Sequence, residues 1–373
     1  MKLFGKTIQK IDVLKIGVLV VIVLFTSFQK YKVFDQAGGD FEAYRNASIE
    51  LLSGINPYKY TVKSFTSEED LRHGYAYLPG LMYVQAPLYA FSEMTGLPIQ
   101  RVWRFPLLGI DIGVGVLILL HMYKKNYFAA LAGFTFWMYH PFFASIGSYT
   151  NWEPFPVFFV LLALYFLDKG NRKSDDLSSL FFALSIAFKT FPIVFLPLFL
   201  YKTKNKLRFL LIGFIVFVAI SLPFMGSWSD FVTYLSGSLL VHGTRELQGR
   251  PFLSYIAYYT GINFMQVSLS SLYSWVALLA GSLVPLWLLV KDKLSNKYIL
   301  ALISLAIYFL FTPVMNRTHL IWILPIFVIG IYEIFTKRKY WYYTALLGFY
   351  AFYFWYLSLW VRGLRFEGDV IKL

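Results

Sequence analysis

The sequence predicts an all-α polytopic membrane protein, a single integral membrane domain over residues 1–373, and three observations carry that expectation. Hydrophobic residues make up 58% of the chain and its mean hydropathy is +0.58. The apolar residues fall in repeated runs of about 16 to 22, the length of a bilayer-crossing helix. The basic residues sit in short clusters between those runs, as in the loops of membrane proteins. A bilayer core of about 30 Å needs about 20 helical residues per crossing, which leaves room for about eleven spans.

The formal net charge is +14, but its division among short loop clusters argues against a nucleic-acid partner. There are no cysteines, which excludes disulfides, thiolate metal sites and a cysteine nucleophile. No Gly-rich phosphate loop, no HExxH and no paired histidine spacing is present, so no cofactor is expected and no metal-ligand set is marked, with the metal requirement left open. An aromatic content of 20% suits interfacial belts.

The first run, 13–28, follows Lys2, Lys6 and Lys10, which put the N-terminus in the cytoplasm and Asp40 on the far side. No small-residue cleavage site follows Phe28, so this is a retained span. From Asp40, the residues Phe41, Tyr44, Ala47, Leu51 and Leu52 fall near helical spacing opposite Glu42, Arg45, Asn46 and Glu50. That pattern predicts an interfacial helix ended by Gly54, Asn56 and Pro57. Residues 59–78 are polar and read as outer loop.

Hydropathy alone makes 77–96 a second span, and loop charge argues otherwise. Lys124 and Lys125, then Lys169, Arg172 and Lys173, then Lys202 to Arg208, then Lys291 to Lys297, then Lys337 to Lys339 are all inside markers. Spans at 152–167, 126–142 and 106–123, counted back from Lys169, agree with an external Asp40 only if 77–96 lies in the outer leaflet. The first outer loop then runs from 29 to 105. Basic clusters on both sides of 177–201 predict two short limbs bent at Lys189, Thr190 and Pro192; the rival is one long helix with one cluster outside. A span at 209–225 leads to a second outer loop, 226–266. Spans at 267–290, 298–313, 319–335 and 340–360 complete the eleven.

This topology gathers Asp40, Arg101, Arg104, Asn151, Glu153, Lys189, His242, Arg245, Arg250, Asn316, Arg317 and His319 at the outer interface. Cations around a few carboxylates suit a phosphorylated lipid head group. Asp40 has two readings, a helix N-cap or a reacting base. Arg101 and Arg104 are either lipid-phosphate snorkels or ligands. Lys189 lies inside an apolar hairpin, where a lysine is rare. Glu153 reads as a span-end anchor or a ligand, and His319 as an interfacial histidine or a ligand.

Asp40, Phe41, Tyr44, Ala47, Leu51, Leu52 and Gly54, then Asn56, Pro57 and Tyr58, then Tyr75, Tyr77, Pro79, Pro87 and Leu88 resemble the first outer loop of GT-C glycosyltransferases. The resemblance is to glycosyltransferase family 87, the polyprenol-phosphate-mannose-dependent mannosyltransferases. Phe188, Lys189, Phe191 and Pro192 look like that family's lysine-proline hairpin. Thr312, Asn316, Arg317, His319, Trp322 and Pro325 look like its late histidine stretch. Where the family often has Gly-Gln, this chain has Asn151, Trp152 and Glu153.

The resemblance implies a GT-C-type bundle with juxtamembrane helices in the first outer loop and an inverting sugar transfer on the extracytoplasmic face of the cell (plasma) membrane. Asp40 would be the base. Lys189, His319, Arg317 and Arg104 would bind the donor phosphate. Glu153, Asn151, His242, Arg245, Arg250 and Tyr77 are candidates for acceptor or sugar. The implied partners are a polyprenyl- or dolichyl-phosphate sugar, with mannose as the sugar, a lipid-linked or glycan acceptor, and membrane lipids. A lipid or solute transporter with a cationic outer cavity is the alternative, and a polymerase or ligase of lipid-linked glycans is a third reading.

Overall fold

The computed structural model describes the chain apart from 36–39, 68–73, 140–151, 242–247, 250–266, positions 292, 313 and 316, and parts of both termini. Among the described residues its regular structure is helical but for three two-residue strand pairs. The helices, numbered in chain order, are α1 (Lys10–Tyr31), α2 (Phe41–Leu52), α3 (Tyr58–Thr66), α4 (Met82–Thr95) and α5 (Ile99–Met122). Then come α6 (Tyr127–Met138), α7 (Pro154–Phe166), α8 (Arg172–Phe188), α9 (Leu196–Lys202) and α10 (Lys206–Ser221). The last are α11 (Trp228–Ser238), α12 (Val267–Val290), α13 (Lys297–Phe311), α14 (Leu320–Thr336) and α15 (Thr344–Val361).

Among the described residues four helices are long and apolar enough to cross a bilayer: Leu14–Tyr31, Ile99–Met122, Lys206–Phe224 and Leu272–Val290. Five shorter apolar helices lie beside them. Four long apolar helices among the described residues do not establish the expected eleven crossings. Apolar runs that hydropathy joins are interrupted in the chain itself: a 3-10 turn at Phe191–Phe195 precedes α9, and another at Arg338–Tyr343 precedes α15.

One end of the bundle gathers the basic loops. Helices leaving it start on asparagine: Asn126 accepts from Ala129 N, Asn171 from Ser174 N, Asn205 from Arg208 N and Asn296 from Tyr298 N. Each satisfies backbone donors that an α-helix leaves open at its start. Glu333 near the end of α14 accepts from Lys125 at 2.6 Å, Lys337 at 2.5 Å and Asn296 at 2.8 Å. Asp168 accepts from Lys202 at 3.1 Å, and Lys297 donates to Leu167 O at 2.6 Å. Basic loops far apart in sequence therefore share this end.

Those contacts also settle the path of 177–201. Lys204 donates its backbone N–H to Asp175 at 3.3 Å and its ammonium to Gly170 O at 2.7 Å. The chain that leaves this end at Arg172 thus returns to it by Lys204, a hairpin bent at Lys189. The outgoing limb is longer than expected, because Arg172 to Asp176, read as loop, form the first turn of α8.

At the other end, α4 has 14 residues, about 21 Å at 1.5 Å per residue, too short for a core of about 30 Å. The stretch 74–81 before it is not helical. α2 ends at Gly54 in the left-handed region, φ +72, as expected. The reading of 59–78 as loop requires correction, since α3 occupies 58–66. Its inward residues are Tyr58, Thr61 and Ser64, and their hydroxyls bond backbone rather than solvent. That polar inner face hides it from a search for apolar periodicity.

α1 is held by its last turn and the residues after it. The buried Lys30 pairs with the buried Asp111 of α5, and Arg104 donates to Val33 O. Arg101 grips Asp35 through two bonds of 2.6 and 2.8 Å. Elsewhere the helix is largely exposed, as a lipid-facing helix is.

Candidate functional site

Asp40 stands at the N-cap position of α2, yet its side chain makes no capping hydrogen bond. The carboxylate instead accepts from the Tyr77 hydroxyl at 2.7 Å. The capping alternative for Asp40 therefore fails on geometry: the backbone starts the helix while the carboxylate turns toward the hairpin tip.

Tyr77 is held there by hydroxyls. Tyr58 donates to Tyr77 O at 2.7 Å, Thr61 to Tyr75 O at 3.1 Å and Tyr75 to Leu78 O at 3.0 Å. Burial pushes the phenols of Tyr44, Tyr58 and Tyr75 well above their ordinary range, so they remain neutral donors. Gly80 donates its N–H to Ala187 O at 3.1 Å. A Cβ at Gly80 would meet that carbonyl oxygen at 2.5 Å, so only glycine lets this non-helical stretch lie so close to the end of α8.

Two residues beyond Ala187, Lys189 caps α8 in an extended conformation. Its ammonium bonds Glu153 at 2.5 Å and lies 5.0 Å from the Tyr77 ring centre and 5.3 Å from that of Trp322. The other Glu153 oxygen accepts from the Trp322 indole N–H. Trp322 stacks on Phe191 at 3.7 Å, and His319 lies 4.3 Å from Trp322 between ring centres. A continuous set of contacts thus runs Asp40, Tyr77, Lys189, Glu153, Trp322, His319, drawn from α2, the 74–81 stretch, the hairpin tip and the starts of α7 and α14. It lies at the opposite end of α8 and α14 from the basic loops.

The other expected residues divide. Arg104 is buried against Val33, in the turn after α1. Glu153 is 0% exposed with both carboxylate oxygens engaged. Arg317 lies in a 3-10 turn that leads into His319. Asn151, His242, Arg245 and Arg250 lie outside the described residues. Gln248–Gly249 of the second loop pair with Val314–Met315 just before that turn. Among the described residues, no group of three or more His, Asp or Glu is gathered as a metal site would need.

Sequence reasoning missed the Lys30–Asp111 pair, although an aspartate inside the 106–123 span is a signal in itself. It also missed the contacts of Tyr58, Thr61 and Gly80, which reach across 14 to more than 100 residues of chain.

Three curated relatives bear the name GPI mannosyltransferase 1. The chain is 25% identical to that of Dictyostelium discoideum over 203 residues, covering 53% of this chain and 41% of the relative. It is 24% identical to that of Kluyveromyces lactis over 302 residues, covering 76% and 69%. Against that of Candida albicans the identity is 25% over 171 residues, covering 45% and 38%. The chain thus spans about two fifths of the length of the Dictyostelium relative. No solved structure matches. The model of glycosyltransferase family 87 matches residues 75–313, a stretch that holds Tyr77, Glu153 and Lys189 and lies between Asp40 and His319. On that match over most of its length, the chain belongs to glycosyltransferase family 87.

Proposed function

We propose that this chain is a membrane mannosyltransferase that takes mannose from a polyprenyl- or dolichyl-phosphate donor and passes it, with inversion, to a lipid or glycan acceptor. The observation that carries the reading is the contact set joining the Asp40 carboxylate, through Tyr77, to the Lys189 ammonium. It offers a base and a phosphate-binding cation on one side of a membrane bundle. The curated relatives' name supports mannose as the sugar.

In the reaction, Asp40 takes the proton of the acceptor hydroxyl as that oxygen attacks the anomeric carbon. The bond from that carbon to the phosphate oxygen breaks, and polyprenyl phosphate leaves with a second negative charge. Lys189, with His319 beyond Trp322 in the same contact set and Arg317 two residues before His319, offsets that charge; such stabilisation is often worth several kcal/mol in a site that excludes water. Tyr77 orients the Asp40 carboxylate and borders the acceptor side, with Asn151, His242, Arg245 and Arg250 as further candidates there. We assign the basic-loop end to the cytoplasm and the Asp40 end to the extracytoplasmic face of the cell membrane. The charge of the loops supports this.

The test uses the full chain, purified and reconstituted in vesicles, with dolichyl-phosphate and undecaprenyl-phosphate mannose as donors and a lipid extract of the expressing cells as acceptor. Mannose should move to lipid with wild type and not with Asp40→Asn, while the variant still binds donor. Transfer undiminished by Asp40→Asn would end the assignment of the base. A transporter with a cationic cavity is not favoured by the family match.

A further inference from the structure

We propose that Glu153 is a positioning residue for Lys189, held in turn by Trp322, and that it makes no contact with the transferred sugar. The inference rests on the reading of Lys189 as the donor-phosphate cation.

Glu153 has no surface to offer a sugar hydroxyl. It is 0% exposed, one oxygen takes the Lys189 ammonium at 2.5 Å and the other takes the Trp322 indole N–H. The backbone before it is bent to aim it inward. Trp152 has φ 55, the left-handed region that a side chain disfavours, and is itself buried at 1%. Strain of that kind persists only where the surroundings enforce it, and it concentrates at functional sites.

Lys189 needs such a partner. The Tyr77 and Trp322 ring faces flank the ammonium, and an aromatic face attracts a cation without fixing the direction of its N–H bonds. A charge-assisted bond to a carboxylate does fix it. Trp322 cannot drift, because its ring lies on Phe191 at an interplanar angle of 8°. Position passes from the Phe191–Trp322 stack to Glu153 and from Glu153 to the ammonium. A donor phosphodiester carries one negative charge and departs as a phosphate with two. The ammonium must already be in place while that second charge develops, and Glu153 keeps it there without touching the reacting atoms.

The experiment measures kcat and KM for donor and acceptor separately, in reconstituted full chain with dolichyl-phosphate mannose. Variants are Glu153→Gln, Glu153→Asp, Trp322→Phe, Lys189→Met and the Glu153→Gln/Lys189→Met double. Glu153→Gln should lower kcat/KM for donor about tenfold with acceptor KM unchanged, as loss of one charged hydrogen bond implies. Glu153→Asp should recover part of that loss. Trp322→Phe keeps a ring on Phe191 but removes the indole N–H, so it should give the same split, reduced to a few-fold, even should Glu153→Gln fail to fold. On the Lys189→Met background, Glu153→Gln should have no further effect. A shift in acceptor KM alone, or the same fold-loss on both backgrounds, overturns the positioning role. Donor kinetics unchanged by Lys189→Met would sink the donor-phosphate reading itself, whatever Glu153 does.

Discussion

The two ends of the bundle use the same chemistry, carboxylates paired with lysines, and differ in what surrounds each charge: loop lysines at one end, aromatic rings at the other. At the basic end Glu333 accepts from Lys125, Lys337 and Asn296, donors on three separate loops. Those lysines are about half exposed, and both carboxylate oxygens accept from the protein. At the other end the Asp40 carboxylate has Tyr77 on one oxygen, and the Lys189 ammonium has one carboxylate and two ring faces. The first arrangement ties loops together; the second brings a carboxylate and an ammonium from distant segments against one tyrosine. On the proposed function, the difference separates an assembly device from a reactive one.

The sharpest break of that comparison is at Asp40. Asp40→Asn keeps the size and the Tyr77 contact but removes the base, so turnover should fall by roughly 10²- to 10⁴-fold. Donor binding, measured by equilibrium titration in vesicles, should be unchanged. Next in size is Lys189→Met, which keeps most of the apolar stem and removes the charge. We expect a loss of about 10²- to 10³-fold in kcat/KM for donor, read from donor-concentration series. A smaller loss shared equally between donor and acceptor would instead mark Lys189 as a structural residue.

How much of this was legible in the sequence depends on the range of the contacts. Asp40 could be singled out because span one, its basic flank and an acid beyond it are neighbours in the chain. The 77–96 helix could be taken out of the span set because loop charges must alternate, and α4 has 14 residues. The link from Glu153 to Lys189 was not readable, since it joins positions 36 residues apart through a strained Trp152 that no pattern announces. α3 was missed because its buried side carries Thr61 and Ser64, which serve backbone carbonyls and leave no apolar stripe. Arg104, read as a lipid-phosphate snorkel or a ligand, donates to Val33 O in the turn after α1, a contact that no sequence pattern announces.

Gly80 tests whether the two halves of the reactive end must touch. Gly80→Ala places a methyl 2.5 Å from Ala187 O, a contact the backbone cannot absorb in place. The 74–81 stretch must lift from the tip of α8, which separates Tyr77 from Lys189. Turnover should drop about tenfold, in line with the sensitivity of positioned groups to small displacements, while donor affinity changes less than in Lys189→Met. Unchanged kinetics would mean that Tyr77 and Lys189 act independently.

The smallest effect on chemistry is expected at Glu333, and there the comparison turns from activity to stability. Glu333→Gln keeps the side chain's shape and its ability to accept from Asn296, but it removes the charge shared by Lys125 and Lys337. Both lysines reach solvent, so neither is left as a stranded buried charge, and the loss stays below the 3–5 kcal/mol typical of breaking a fully buried pair. A cost of roughly 1–3 kcal/mol follows from the charged hydrogen bonds that weaken, visible as a lower unfolding temperature of the purified protein in detergent. Transfer measured at a temperature where the variant is folded should lie within about twofold of wild type, because changes remote from a site usually act independently of it. A large loss of turnover in folded Glu333→Gln would show that the end which gathers the loops also sets the geometry of the end that holds Asp40, through α14, the helix that carries Glu333 near its end and begins beside His319.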